Sequence, residues 1–334
     1  MPLAPRSTHI IALVLAAAGI FLLSCQYDQQ HAAQVSIQPA GIVGDTTGAF
    51  AGRENIFDTI ADLAAGADTN LYVLDAGYEE IRAYSLTGEL LTSILLTVRE
   101  GADAIPSVDA FAVGPGGRFY LASTAGRELA SLTANGVPVG EFSVPIRPTD
   151  IAVENDEFYL TGSVAGESLG QGASRGHERH ETLLKEMGGP GKIVGADSLG
   201  RLTATDRGTL IYSYPWPYRI VEFSPDGEII REASGQPSFS GGPEQSSEGS
   251  ARVDQRSSGL AILESGHIVN MVCDAAAETW YADVFTPELK FIQRIEREAF
   301  GFEQFSHVTA VGSSLYLSSP EPAPHVRRFD ISIE

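Results

Sequence analysis

Asp62, Asp109, Asp150 and His307 are the residues whose types and spacing most readily suggest chemistry. Asp62, Asp150 and His307 open successive copies of a similar apolar run, and Asp109 stands one residue out of step at the start of another. Converging carboxylate oxygens hold Ca²⁺, and a histidine among them tilts a site toward a transition metal such as Zn²⁺. The same residues serve equally well as hydrogen-bond partners for a neighbouring strand or for channel water. A second group is Tyr212, Tyr214, Trp216 and Tyr218, stiffened by Pro215 and Pro217. Exposed, these rings form a platform for a sugar, a peptide or a partner's apolar anchor; packed, they cap a core. A third is His177-Glu178-Arg179-His180-Glu181, whose histidines are three apart. That is not the His-Glu-x-x-His spacing of a helical zinc site, and the run sits in a Gly-rich insert, so a solvated loop is the expectation. The chain has no Gly-x-Ser-x-Gly elbow, phosphate loop or paired Cys-x-x-Cys.

The elements that must position these residues are short strands in a repeating order. Ile60 to Leu91 reads as four strands, with Leu71-Tyr72-Val73-Leu74 after the turn Asp68-Thr69-Asn70 and Thr87-Gly88 before the last. Apolar runs at Phe111, Ile151, Ile193, Leu260 and Val308 each lead through a Gly, Asn or Asp turn to a second run, at Phe119, Phe158, Leu202, Ile268 and Leu315. A repeat of roughly 40–45 residues built from four strands is the signature of a propeller blade. In the blade-four copy this reading puts the inner strand at Ile193 to Ala196 and the second at Leu202 to Ala204, so that the tyrosines fall in a loop. After Leu160, blade three's outer strands are hard to find in a polar insert.

The copy Ile60-Ala61-Asp62…Leu71-Tyr72-Val73…Ile81-Arg82-Ala83-Tyr84…Thr87-Gly88-Glu89 resembles an NHL repeat, and residues 33–330 resemble the six-bladed propellers of the NHL and TolB-like group. The resemblance implies an all-β fold of six four-stranded antiparallel blades and no particular chemistry. Propeller lactonases and hydrolases share this architecture and use an axial calcium, but their ligand set does not match this chain residue by residue. The spare run Val35-Ser36-Ile37 is placed to give the sixth blade its outer strand and close the ring. Turns between first and second strands share one face with those between third and fourth, and all of these are short. The long segments, 41–57, 162–191, 206–217 and 234–258, fall on the opposite face, which makes it the candidate binding face. Within it, the Gly/Ser-rich run 238–250 reads as tolerated disorder.

The N terminus sets location. Arg6 precedes an unbroken apolar stretch of 14 residues, Ile10 to Leu23. That is the order of a secretory signal and is shorter than a spanning helix. Leu22-Leu23-Ser24-Cys25 resembles the lipobox of bacterial lipoproteins, which implies lipidation of Cys25. Several acyl chains at about 0.8 kcal/mol per buried CH₂ make a lasting anchor. Gln26 follows where an aspartate commonly signals inner-membrane retention, which implies sorting to the outer membrane, facing the periplasm. The organisation is thus a signal peptide at 1–24, a tether at 25–32 and a propeller at 33–334. From Cys25 onward the formal charge is −22, which argues against nucleic acid as a partner. With Cys25 acylated, Cys273 is left as the one other cysteine and reads as structural.

Function remains open between two classes. The absence of a catalytic set favours a non-enzymatic, membrane-anchored propeller that binds an envelope protein, peptide or glycan through its long-loop face, with no cofactor. The alternative is a metal-dependent hydrolase or lactonase with Ca²⁺ or Zn²⁺ on the axis.

Overall fold

The computed structural model describes residues 34–44, 56–96, 108–144, 146–154, 157–164, 185–187, 191–193, 200–214, 219–233, 255–274 and 278–334. The chain enters as β1 (Val35–Val43) and then makes a meander of β2 (Ile60–Ala65), β3 (Leu71–Asp75), β4 (Glu80–Tyr84) and β5 (Leu90–Leu95). A second meander follows, β6 (Ala110–Val113), β7 (Phe119–Ser123), β8 (Glu128–Leu132) and β9 (Pro138–Ser143). The third sheet holds β10 (Ile146–Glu154), β11 (Glu157–Val164), β12 (Lys185–Met187) and β13 (Gly191–Ile193). Two more meanders are β14 (Arg201–Ala204), β15 (Leu210–Tyr214), β16 (Arg219–Phe223) and β17 (Ile229–Glu232), then β18 (Gln255–Ile262), β19 (Ile268–Asp274), β20 (Thr279–Phe285) and β21 (Phe291–Glu296). The chain ends in β22 (Val308–Val311), β23 (Ser314–Ser319) and β24 (His325–Ile333).

Turn chemistry explains the meanders. Gly88, Gly136, Gly208, Gly227 and Gly266 close first-to-second or third-to-fourth turns at φ between 73° and 89°, where a Cβ is strained. The middle strands β3, β4, β7 and β15 are buried at every residue, as strands sandwiched between neighbouring blades must be. The largely apolar runs of β3, β7 and β15 are therefore a packing pattern, while β4 buries Glu80 and Arg82 along with its apolar residues. The innermost strands neighbour one another in a closed circle, β2–β6–β10–β14–β18–β22 and back to β2. The circle closes through β1, which pairs antiparallel with β24 from Val35↔Ile333 to Val43↔Val326, so the spare N-terminal run is the outer strand of the last blade. Gln34 and Glu334 also exchange backbone hydrogen bonds at 3.1 Å.

Two expectations are corrected. Five sheets are antiparallel four-stranded blades, not six. In the third sheet the order is β10-β11-β13-β12, with β13 parallel to β11. The β12–β13 hairpin is inverted relative to a meander, in a polar insert with no period-2 pattern to hold register. Blade four is also shifted: its inner strand is β14, where the sequence reading put the second, and β15 takes the second place. The turn that decides this is Thr205 to Thr209, closed by Thr205 N–H donating to Thr209 O at 2.8 Å, which carries the chain directly from β14 into β15.

Candidate functional site

A cavity of about 250 Å³ opens on the axis between the starts of the inner strands. At its mouth stand Asp62, Asp150, Arg201, Ser258 and His307, one from each of five sheets. Further along the inner strands the lining includes a small side chain from every sheet, Ala64, Ala112, Ala152, Thr203, Ala261 and Thr309, and this leaves the passage open. Bulges aim part of the mouth. The ladder slips between Ile60 and Asp62 and between Pro148 and Asp150, immediately before the axial aspartates, and between Ser257 and Gly259, where Ser258 is itself the extra residue. An extra residue at that point rotates the next side chain, a device common beside binding sites.

Each axial aspartate is held at both oxygens. Asp62 Oδ1 accepts from Leu63 N–H at 2.8 Å and Oδ2 from Phe111 N–H of the next blade at 3.0 Å. Asp150 repeats this with Ile151 N–H at 2.9 Å and Leu202 N–H at 2.9 Å. Both carboxylates thus staple their own inner strand to the next. Each oxygen keeps a further lone pair, which the cavity can use. His307 Nδ1 lies 3.5 Å from Asp62 Oδ1, and the His307 backbone N–H is fixed by Ser318 Oγ at 2.9 Å. Arg201 donates from Nε to Ser258 O at 3.2 Å, while its terminal nitrogens donate to no group among the described residues. Burial raises the Asp150 carboxyl to about 6, helped by the Asp62 charge and opposed by Arg201 and the two backbone donors.

Asp62, Asp150 and His307 come together as the spacing suggests. Asp109 does not: it precedes β6 and turns outward, accepting from Thr124 N–H at 2.8 Å. Arg201 was missed because the blade-four reading was one strand out. Arg201-Leu202-Thr203-Ala204 before a Gly-containing turn parallels Asp62-Leu63-Ala64-Ala65, and that signal could have found it. Among the described residues no group of three or more His, Cys, Asp and Glu side chains is set to hold a metal ion. Asp62 and Asp150 each accept two backbone N–H bonds, and His307 stands beside Asp62 with Nδ1 at 3.5 Å.

The aromatic platform is corrected in part. Tyr212 and Tyr214 are 0 % and 4 % exposed, members of a buried cluster with Val221 and Phe223, and their rings meet edge to face at 4.6 Å. They lie in β15, whose position between neighbouring blades buries both of its faces. Trp216 and Tyr218 lie outside the described residues, as do Cys25, the run 177–181 and most of the long segments.

No family model and no curated protein matches the sequence. Solved structures do. A member of the duf4221 family from Bacteroides vulgatus aligns over 90 % of this chain and 99 % of its own at 8 % identity, TM-score 0.61. An aldose sugar dehydrogenase from Streptomyces coelicolor in its PQQ-bound form covers 90 % and 99 % at 13 % identity, TM-score 0.53. A virginiamycin B lyase from Staphylococcus aureus with quinupristin covers 89 % and 99 % at 11 % identity, TM-score 0.52. The chain is a β-propeller. Identities this low carry the fold and leave the chemistry to the site. The β-propellers it resembles include a lyase and a dehydrogenase, so the fold is compatible with catalysis as well as with binding.

Proposed function

We infer that this β-propeller is a lipid-anchored envelope protein whose work is binding, and that its ligand, or one polar group of a larger partner, enters the axial mouth. The carrying observation is Arg201: a guanidinium at the cavity, fixed through Nε and with its terminal nitrogens free of partners among the described residues. Such a fork, already attracted to the Asp150 carboxyl but not hydrogen-bonded to it, is suited to a carboxylate or phosphate, and the held carboxylates of Asp62 and Asp150 are acceptors for donors on the same ligand. A cavity of about 250 Å³ is at the small end for an organic ligand. The envelope setting rests on the Leu22-Leu23-Ser24-Cys25 resemblance; among the described residues no helix is long and apolar enough to cross a membrane.

The rival is a metal-dependent hydrolase on the same axis, where Asp62, Asp150 and His307 would be the candidate donors. Mass spectrometry of the full chain purified from its host envelope separates the two readings. Wild type and Arg118→Ala, a change at a short turn away from the axis, retain an anionic small molecule or a protein partner, and Arg201→Ala loses it. A stoichiometric Ca²⁺ or Zn²⁺ whose chelation abolishes a hydrolytic activity would replace the binding reading with the hydrolase.

A further inference from the structure

Eight large apolar side chains are exposed among the described residues, and six of them lie in three neighbouring blades. Ile42 is in β1, Leu86, Leu91 and Leu95 belong to the third-to-fourth turn and outer strand of the first meander, and Val137 and Val139 to the equivalent part of the second, each between 37 and 58 % exposed. These blades touch at the rim: Arg328 Nη1 donates to Leu86 O, the Gly88 turn lies against Val43, and Gly136 lies against Ile94. The remaining two, Ile229 and Ile230, are in the fourth blade, away from this arc.

Charge separates the same regions. In a chain with a formal charge of −21, β1 and β5 contain no charged residue and β9 contains one, Glu141. The outer strands of the next two meanders, by contrast, carry Arg231 and Glu232, and Arg294 and Glu296. Uncharged aliphatic outer strands are edges that natural sheets protect or cover. The tether says what covers these. It joins the fold at Val35, in the blade that begins the arc, and the ten steps from Cys25 to Val35 reach at most about 35 Å.

We propose that the rim arc of Ile42, Leu86, Leu91, Leu95, Val137 and Val139 is a membrane-resting surface that lies on the lipid leaflet into which Cys25 is anchored. This rests on the anchoring reading. An acidic protein drawn to within a tether's length of headgroups approaches them with its least charged rim, where aliphatic side chains enter the interface and the exposed carboxylates on these outer strands and their turns are two, Glu89 in the β4–β5 turn and Glu141 in β9. The axial mouth then opens sideways to the envelope space, clear of the lipid.

The test uses the full lipidated chain, with Cys273→Ser and one of Leu91→Cys, Val139→Cys or Ile230→Cys, labelled with an environment-sensitive fluorophore. Each protein is reconstituted in vesicles of phosphatidylethanolamine and phosphatidylglycerol, with and without nitroxide-bearing lipid. The expected result is a blue shift and nitroxide quenching at positions 91 and 139 and neither at 230. Protein that floats with the vesicles but shows no quenching at 91 and 139, or equal quenching at all three, overturns the arc and leaves the anchor standing. Protein that fails to float overturns both. A blue shift at 91 and 139 already present in detergent and lost on dilution assigns the arc to a second copy of the chain and overturns the membrane surface.

Discussion

Arginines in two regions of this propeller teach different lessons. Inside the first blade, Arg82 is held at all three nitrogens: Nε and Nη2 donate to Glu80 at 2.7 and 2.5 Å, Nη1 to Ile56 O at 2.6 Å, Asp75 lies at 3.8 Å, and Phe57 and Tyr78 stack at 5.1 and 5.3 Å. In the fifth blade Arg294 is likewise matched by Asp283 at 2.8 and 3.0 Å over the Tyr281 ring. At the axis, Arg201 spends one nitrogen on the fold. A charge that the protein itself pairs with a buried carboxylate and stacks on a ring is part of the scaffold. A charge with capacity left over, facing a cavity, is available to something else.

The sharpest way to break that contrast is Arg82→Ala. It leaves Glu80 and Asp75 buried without their cation, and removing one partner of a buried pair costs about 3–5 kcal/mol. Urea denaturation should show that loss with an unchanged slope; a loss below about 1 kcal/mol would mean the interior charges are not structural. Next in size is ring closure. Deleting residues 34–37 removes the burial of Val35, which is 5 % exposed, and of the partly buried Ile37, together with their ladder to β24. At roughly 1.5–3 kcal/mol per buried aliphatic side chain, the melting temperature should fall by several degrees. An unchanged melting temperature would sink the closure role. Smaller still in stability is Arg201→Ala, which gives up a single hydrogen bond to Ser258 O at about 0.5–1.5 kcal/mol. Calorimetry with the co-purified ligand should nevertheless find at least tenfold weaker binding, as expected when a charge-assisted fork is lost.

The fold was legible wherever turn residues and period-2 runs agreed. Blade one and the Val35–Ile37 closure strand could be read because Asp68-Thr69-Asn70 and Thr87-Gly88 punctuate strands of the right length. Blade four failed because Leu199-Gly200 imitates a turn, and a one-strand slip carried Arg201 out of view and the tyrosines out of the core. The third sheet failed for a different reason: a parallel β11–β13 pair is a non-local choice that no local pattern encodes. At the site, Asp62, Asp150 and His307 showed themselves by equivalence, whereas their engagement with Leu63, Phe111, Ile151 and Leu202 depends on the neighbouring strand.

The finest test of the contrast is a proton. Burial and the Asp62 charge lift the Asp150 carboxyl from its ordinary 3.8 to about 6. A folded-state value above the unfolded one means that the stability tied to this proton is fully present below about pH 4 and lost as pH rises through about 6. Asp150→Asn does not titrate, so the stability difference between wild type and variant should move in favour of wild type as pH falls from 7 to 4.5, on top of a constant offset from the changed hydrogen bonding to Ile151 and Leu202. The mouth changes with it. Above pH 6 the groups facing Arg201 across the cavity are two carboxylates, Asp62 and Asp150, beside the His307 imidazole; below it, one of those negative charges is gone. An anionic ligand on Arg201 should therefore bind a few-fold more tightly at pH 5 than at pH 7.5 in wild type, an effect of at most about 1.4 kcal/mol per unit of pKa displaced, and show a smaller dependence in Asp150→Asn. Calorimetric titration of the two proteins at both pH values is decisive, since a ligand held away from the axis would leave the two pH profiles parallel.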